Sequence, residues 1–142
     1  MLVYKSSDLV PLGYTDSDFQ TDKDKRKSTS GCVFTLGGGA VIWRSVKQKC
    51  IADSTMEAEY VAASEAAKEA ICAIAISNNP VQHSRTKHID IRYHFIREHV
   101  MNDTVVLHFV PTADQIADIF TKPLDESTFS KLVCEQGMLN MP

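Results

Sequence analysis

Apolar and polar positions change rhythm several times along the chain, and each change marks an element. The stretch "LVPLGYTDSDF", Leu9 to Phe19, reads as a strand that ends in acids, and "QTDKDKRKSTS" after it reads as a charged loop joining two strands. Two β-rich runs follow, Cys32 to Leu36 and Ala40 to Val46. They are separated by Gly37, Gly38 and Gly39, a hairpin signature. From Ser54 the period becomes helical. Alanines and the stripe Tyr60, Ala63, Ala67, Ile71 suit close packing on a sheet, and the Asn-Asn-Pro of residues 78–80 stops the helix.

A second helix is expected over residues 86–101, with Ile89, Tyr93, Ile96 and Val100 facing inward and Asn102-Asp103 closing it. "TVVLHFV", residues 104–110, has the β-branched, apolar character of a strand buried on both faces. "PTADQIADIFTKPL" then gives a short helix capped by Thr112 and Gln115 and ended by Pro123. A last amphipathic segment docks through Phe129, Leu132 and Val133 and stops at Gly137. The order β-β-β-α-α-β-α-α defines a mixed α/β domain over residues 1–142, with 1–8 as an N-terminal linker and 125–142 as a C-terminal docking segment.

At 142 residues a single domain can bury a real core without a disulfide or structural metal. A net charge of -3 gives no global pull toward nucleic acid, so any such contact rests on local basic patches. Cys32, Cys50, Cys72 and Cys134 form no C-x-x-C pair, which reads as reduced thiols in an intracellular protein, cytoplasmic or nuclear. No apolar run approaches a signal peptide or a membrane span, and no pattern calls for a small-molecule cofactor.

Three acids stand where strands end or helices begin: Asp16, Glu57 and Asp118. Carboxylates converging on one end of a sheet attract hard divalent cations, and two such ions can activate water and stabilise a phosphate leaving group. Each acid has a plainer reading, Asp16 as a turn acid, Glu57 as the partner of Ser54 in a capping box, and Asp118 as a solvated helix residue. Spacing leaves both readings open.

The segments "GYTDSDF", "KSTSGCVFTLGGGAVIWRSVKQKCIADSTMEAEYVAASEAAKEA", "RTKHIDIRYHFIRE" and "VPTADQIADIFTKPL" closely resemble the ribonuclease H domain at the end of the polyprotein of copia-type LTR retrotransposons. The resemblance implies a ribonuclease H-like fold, with three antiparallel strands followed by a parallel one. It implies four acids holding two Mg²⁺, with Mn²⁺ as a substitute, to cut the RNA strand of an RNA–DNA hybrid, and an upstream reverse transcriptase domain in a longer polyprotein. Asp16, Glu57 and Asp118 fall on three of the four acid positions. The strand carrying a Cys-Asp-Asn motif, whose Asp is the remaining ligand, has no counterpart. "AAKEAI" runs directly into "CAIAISNNP", as though a block had been deleted between Ile71 and Cys72. No acid lies between Glu69 and Asp90 to replace it.

Removing a shared carboxylate lowers metal affinity and misplaces the attacking water, so impaired hydrolysis is expected. Arg26, Ser28, Thr29, Ser30, Gln48, Lys87 and Arg92 are candidates for contacts to hybrid phosphates, against the plainer reading of a solvated loop and helix face. A nucleic-acid-binding remnant that does not cut, and a relic without a selected role, are the competing expectations. Trp43 reads as core rather than as a base-stacking platform.

Overall fold

The computed structural model describes residues 10–22, 24–78 and 95–137. The chain divides into two compact units, Met1–Ala62 with Val110–Pro142, and Ala63–Phe109.

The first unit is built on a three-stranded antiparallel sheet of order β1-β2-β3: β1 is Pro11–Asp22, β2 is Lys27–Leu36 and β3 is Gly39–Lys47. The "QTDKDKRKSTS" segment is therefore mostly strand rather than loop. Asp22 makes the turn: its Oδ1 accepts the backbone N–H groups of Asp24 (3.2 Å) and Lys25 (3.1 Å), an Asx-type turn that needs only a few residues. Positive φ at Arg26 (51°) completes the reversal. Between β2 and β3, Gly37 and Gly38 both take positive φ, 57° and 81°, the twist-compatible geometry that two-residue hairpins favour.

Behind this sheet, Val33 and Ala40 pack with Ile116, Ala117 and Leu132 in one buried cluster, with Tyr14, Ile119, Phe120 and Leu124 around it. The expected single short helix at "PTADQIADIFTKPL" is two 3-10 turns, Thr112–Asp114 and Ile116–Phe120, broken at Gln115, which is extended with ψ of 91°. The break lets Gln115 reach away from the helix to β1. The C-terminal helix, Glu126–Glu135, buries Leu132, leaves Phe129 half exposed, and ends at Gly137 with φ of 69°. Gln136 holds it down, donating from Nε2 to the Ile116 carbonyl (3.0 Å) while its own carbonyl accepts from Ala40 N–H (2.8 Å).

Helix α1, Thr55–Asn78, starts and ends where the capping and Asn-Asn-Pro signals put it. Among its described side chains Ala58, Val61, Ala62, Ser64 and Ala66 are buried, while Tyr60, Ala63, Ala67 and Ile71 are half-buried. An alanine-rich helix carries small apolar groups on nearly every face, so periodicity fixes its length better than its phase. In the second unit, α2 is Phe95–Met101, closed at Asp103, which takes φ of 53°; Ile89 and Tyr93 lie outside the described residues. "TVVLHFV" forms no strand, and Val106, Leu107 and Phe109 are exposed. Among the described residues β1 pairs only with β2, and no parallel strand is present. A strand needs a neighbouring ladder to satisfy its backbone, and among the described residues this segment pairs with none. Trp43, too, is half exposed on β3 rather than core. Of the four cysteines, Cys32 is buried, Cys50 and Cys72 are half-buried and Cys134 is exposed. Among the described residues no helix is long and apolar enough to cross a membrane.

Capping of the C-terminal helix gives a first test. The Asp125 carboxylate accepts from the backbone and hydroxyl of both Ser127 and Thr128, and these bonds, the Ser127 hydroxyl foremost, hold it far below the usual carboxylate range. A depressed folded-state value means the stabilisation is complete above the unfolded value and fades as pH falls toward the folded one. Asp125→Ala is expected to lower the melting temperature by a constant amount from neutral pH down to about 5, with the gap closing only below about pH 4. A gap that widened on acidification would contradict the cap.

Candidate functional site

Asp16 sits mid-strand in β1, opposite Gly31 of β2. Because Gly31 has no side chain, the second 3-10 turn can settle onto the sheet there. A Cβ at that position would lie 2.7 Å from Thr121 Cγ2, 2.9 Å from Phe120 Cβ and 3.0 Å from the Ala117 carbonyl oxygen. This close approach delivers Asp118 to Asp16, and both are buried, at 4% and 8% exposure.

The pair is held by neighbours on the same turn. Thr121 donates its hydroxyl to Asp16 Oδ2, and Lys122 Nζ lies 2.8 Å from Asp118 Oδ2. Asp118 Oδ1 is buried with no hydrogen-bond partner. Burial pushes the Asp16 carboxyl up, the Thr121 hydrogen bond opposes this, and the Asp118 charge pushes it up further. For Lys122, burial works against the charged form, but the Asp118 bond and the charges of Asp16, Asp118 and Asp18 prevail and hold its ammonium above the ordinary value.

The acid that α1 brings to β1 is Glu59. Its Oε1 accepts from Ser17 N–H (3.2 Å), next to Asp16 in the chain. Although much of Glu59 remains in solvent, its carboxylate end is drawn against the strand. Desolvation there, and then the Asp16 charge, push it above the usual range. Glu57 takes the capping geometry: its N–H donates to Ser54 Oγ (3.1 Å), and its Oε2 accepts from Asp53 N–H (2.8 Å), one residue beyond the helix cap. Sequence reasoning passed over Glu59. No local signal distinguished it, because an alanine-rich helix does not declare its phase.

Gln48 explains why α1 presents this face. The residue is 1% exposed, and its Nε2 donates to Ser30 Oγ (2.9 Å) and to the Ala58 carbonyl (2.8 Å), fastening the first turn of α1 to the sheet. Ser28, fully buried, accepts from Gln20 N–H through its hydroxyl (3.1 Å). Ser28, Ser30 and Gln48 therefore turn inward, each held by at least one hydrogen bond within the protein, while Gln48 Oε1 is buried with no partner among the described residues. Arg26 is exposed and Thr29 half-buried, while Lys87 and Arg92 lie outside the described residues.

The outer edge of β1 is partly closed by side chains. Gln115 Nε2 donates to the Thr15 carbonyl (2.9 Å), and Glu59 accepts from Ser17 N–H. These are backbone groups that a neighbouring strand would otherwise pair. The donor set is therefore Asp16, bound by Thr121, Asp118, bound by Lys122, and Glu59, bound by Ser17. Among the described residues no group of three or more His, Cys, Asp or Glu is gathered as a metal cluster. Two adjacent dications need several shared oxyanions, and this set does not fit them.

The chain is 40% identical to the retrovirus-related Pol polyprotein from transposon TNT 1-94 of Nicotiana tabacum over 151 aligned positions, which cover 90% of the chain and 11% of that protein. It is 35% identical to the Pol polyprotein from transposon RE1 of Arabidopsis thaliana over 162 positions, covering 97% of the chain and 11% of the relative. A 60-residue stretch is 52% identical to secreted RxLR effector protein 161 of Plasmopara viticola, 42% of each chain. The chain thus spans about a tenth of the length of the polyproteins it matches. Both polyprotein alignments are longer than the 142-residue chain, so the relatives carry residues in this region that it lacks. No family model and no solved structure matches.

Proposed function

We propose that the chain is a ribonuclease H-like domain derived from a retrotransposon Pol polyprotein, in which the centre that cut the RNA strand of RNA–DNA hybrids is incomplete. The carrying observation is the buried Asp16–Asp118 pair, assembled from positions far apart in sequence on a strand and a 3-10 turn. The similarity to Pol polyproteins supports the lineage, and relatives with extra residues in this region support an internal deletion. In such an enzyme Mg²⁺ supplies an activated water and charge neutralisation at the phosphate. Here the chain's own donors hold the acids. The expected partner is the hybrid, and the polyprotein context makes a reverse transcriptase the expected upstream neighbour.

The test is cleavage of a labelled RNA–DNA hybrid by the purified chain. Cleavage in Mg²⁺ or Mn²⁺ is expected to stay at the level of a protein-free control. Metal-dependent turnover that Asp16→Asn abolishes would overturn the proposal.

A second reading, binding without cutting, draws on the exposed Lys25, Arg26 and Lys49 near one end of the sheet. Phosphate contacts release counterions, so a gel shift in EDTA should weaken steeply with salt, and Arg26→Ala should reduce the salt slope by about one. A slope unchanged by that substitution would remove Arg26 from the interface.

A further inference from the structure

Each acid at the open edge of β1 already has a donor supplied by the chain itself. Thr121 serves Asp16, Ser17 N–H serves Glu59, and Lys122 serves Asp118. The third donor differs in kind, because it is a full positive charge. The Lys122 side chain is 35% exposed while Asp118 is 5% exposed, so the ammonium reaches from the surface to an acid that water cannot solvate. An ordinary i,i+4 surface pair contributes little. A buried carboxylate that loses such a counter-charge is a different matter, because its charge is then left uncompensated in a poor solvent. Asp16 and Asp18 add to the negative field the lysine meets.

We infer that Lys122 is the resident cation of the Asp16–Asp118 pair: its ammonium neutralises Asp118, so the acid pair and the turn that carries it hold together without metal. This rests on reading the pair as the remnant of a metal-dependent nuclease centre and says what now stands in the ion's place. Lys122 is thereby a positioning residue, acting through Asp118.

The experiment is thermal melting of the full chain in EDTA, in about 10 mM MgCl₂ and in about 1 mM MnCl₂, against NaCl of matched ionic strength. The wild-type midpoint is expected to move by less than about 1 °C with either metal. Lys122→Met is expected to melt lower in EDTA and to recover by about 4 °C or more in Mn²⁺, as a site freed of its lysine takes up the ion. Lys122→Arg, which keeps the charge, should match the wild type and stay indifferent to metal. Metal stabilisation of the wild type, or a Lys122→Met protein as stable as the wild type in EDTA and unmoved by metal, would overturn the inference. Should Lys122→Met fail to fold in EDTA, folding restored by Mn²⁺ supports it, and no restoration counts against it. No nucleic acid is present in these melts, so their outcome is separate from whether the chain cuts or binds hybrid.

Discussion

Leu132→Ala is expected to destabilise the protein by about 3 kcal/mol, lowering its melting temperature by roughly 10 °C. Leu132 is 1% exposed and is the one fully buried side chain that the C-terminal helix contributes to the cluster of Val33, Ala40, Ile116 and Ala117. Truncation removes most of that contact and leaves a cavity. The surroundings cannot readily close it, because Gln136 fixes the helix both to Ile116 and to Ala40 through hydrogen bonds. Domains of this size carry only about 5–15 kcal/mol in total, so the loss is a large fraction. Leu132→Met, which conserves volume, should cost less than about 1.5 kcal/mol, and Phe129→Ala, already half exposed, should cost less than Leu132→Ala. Equal costs for Phe129→Ala and Leu132→Ala in chemical denaturation would show that the helix docks through another face.

Legibility in the sequence followed the strength of local chemistry. The Gly37-Gly38 hairpin, the Ser54 start of α1, its stop at Asn78, the closure of α2 at Asp103 and the Gly137 stop were all readable, because each depends on a cap, on the Asn-Asn-Pro stop or on a positive φ that few residues satisfy. The β1–β2 connection was misjudged because charge density was taken as loop, when one Asx turn at Asp22 suffices and the flanking residues stay in the ladder. "TVVLHFV" had strand composition, but pairing is not a local property, and among the described residues no strand pairs with it. At the site, Asp16 and Asp118 were singled out and the structure brings them together. Which glutamate joins them was not readable. In "STMEAEY" the two acids are two residues apart on a helix, so they point in different directions, and only the Gln48–Ala58 tie fixes the phase that turns Glu59 to β1.

The other large effect is expected at Gly31, where a single methyl group should separate the acid pair. In Gly31→Ala the new Cβ meets Thr121 Cγ2, Phe120 Cβ and the Ala117 carbonyl oxygen, all at 3.0 Å or less. None of these is the loose end of a flexible chain. Thr121 is held through its hydroxyl to Asp16, Phe120 is met at its Cβ, and the third contact is backbone. Overpacking of this kind costs about 1–3 kcal/mol, and relief requires lifting the 3-10 turn from β2, which carries Asp118 away from Asp16. Thr121→Ser in the same background removes the nearest clashing carbon while keeping the hydroxyl, so the double variant should recover part of the lost stability. It should not recover all of it, since Phe120 and Ala117 remain. The cycle of wild type, two single variants and the double variant, measured by urea unfolding, isolates the coupling as a positive interaction between the sites. If Gly31→Ala melted like the wild type, the close approach that seats Asp118 beside Asp16 would be untenable, and with it the account of how this chain assembles its site.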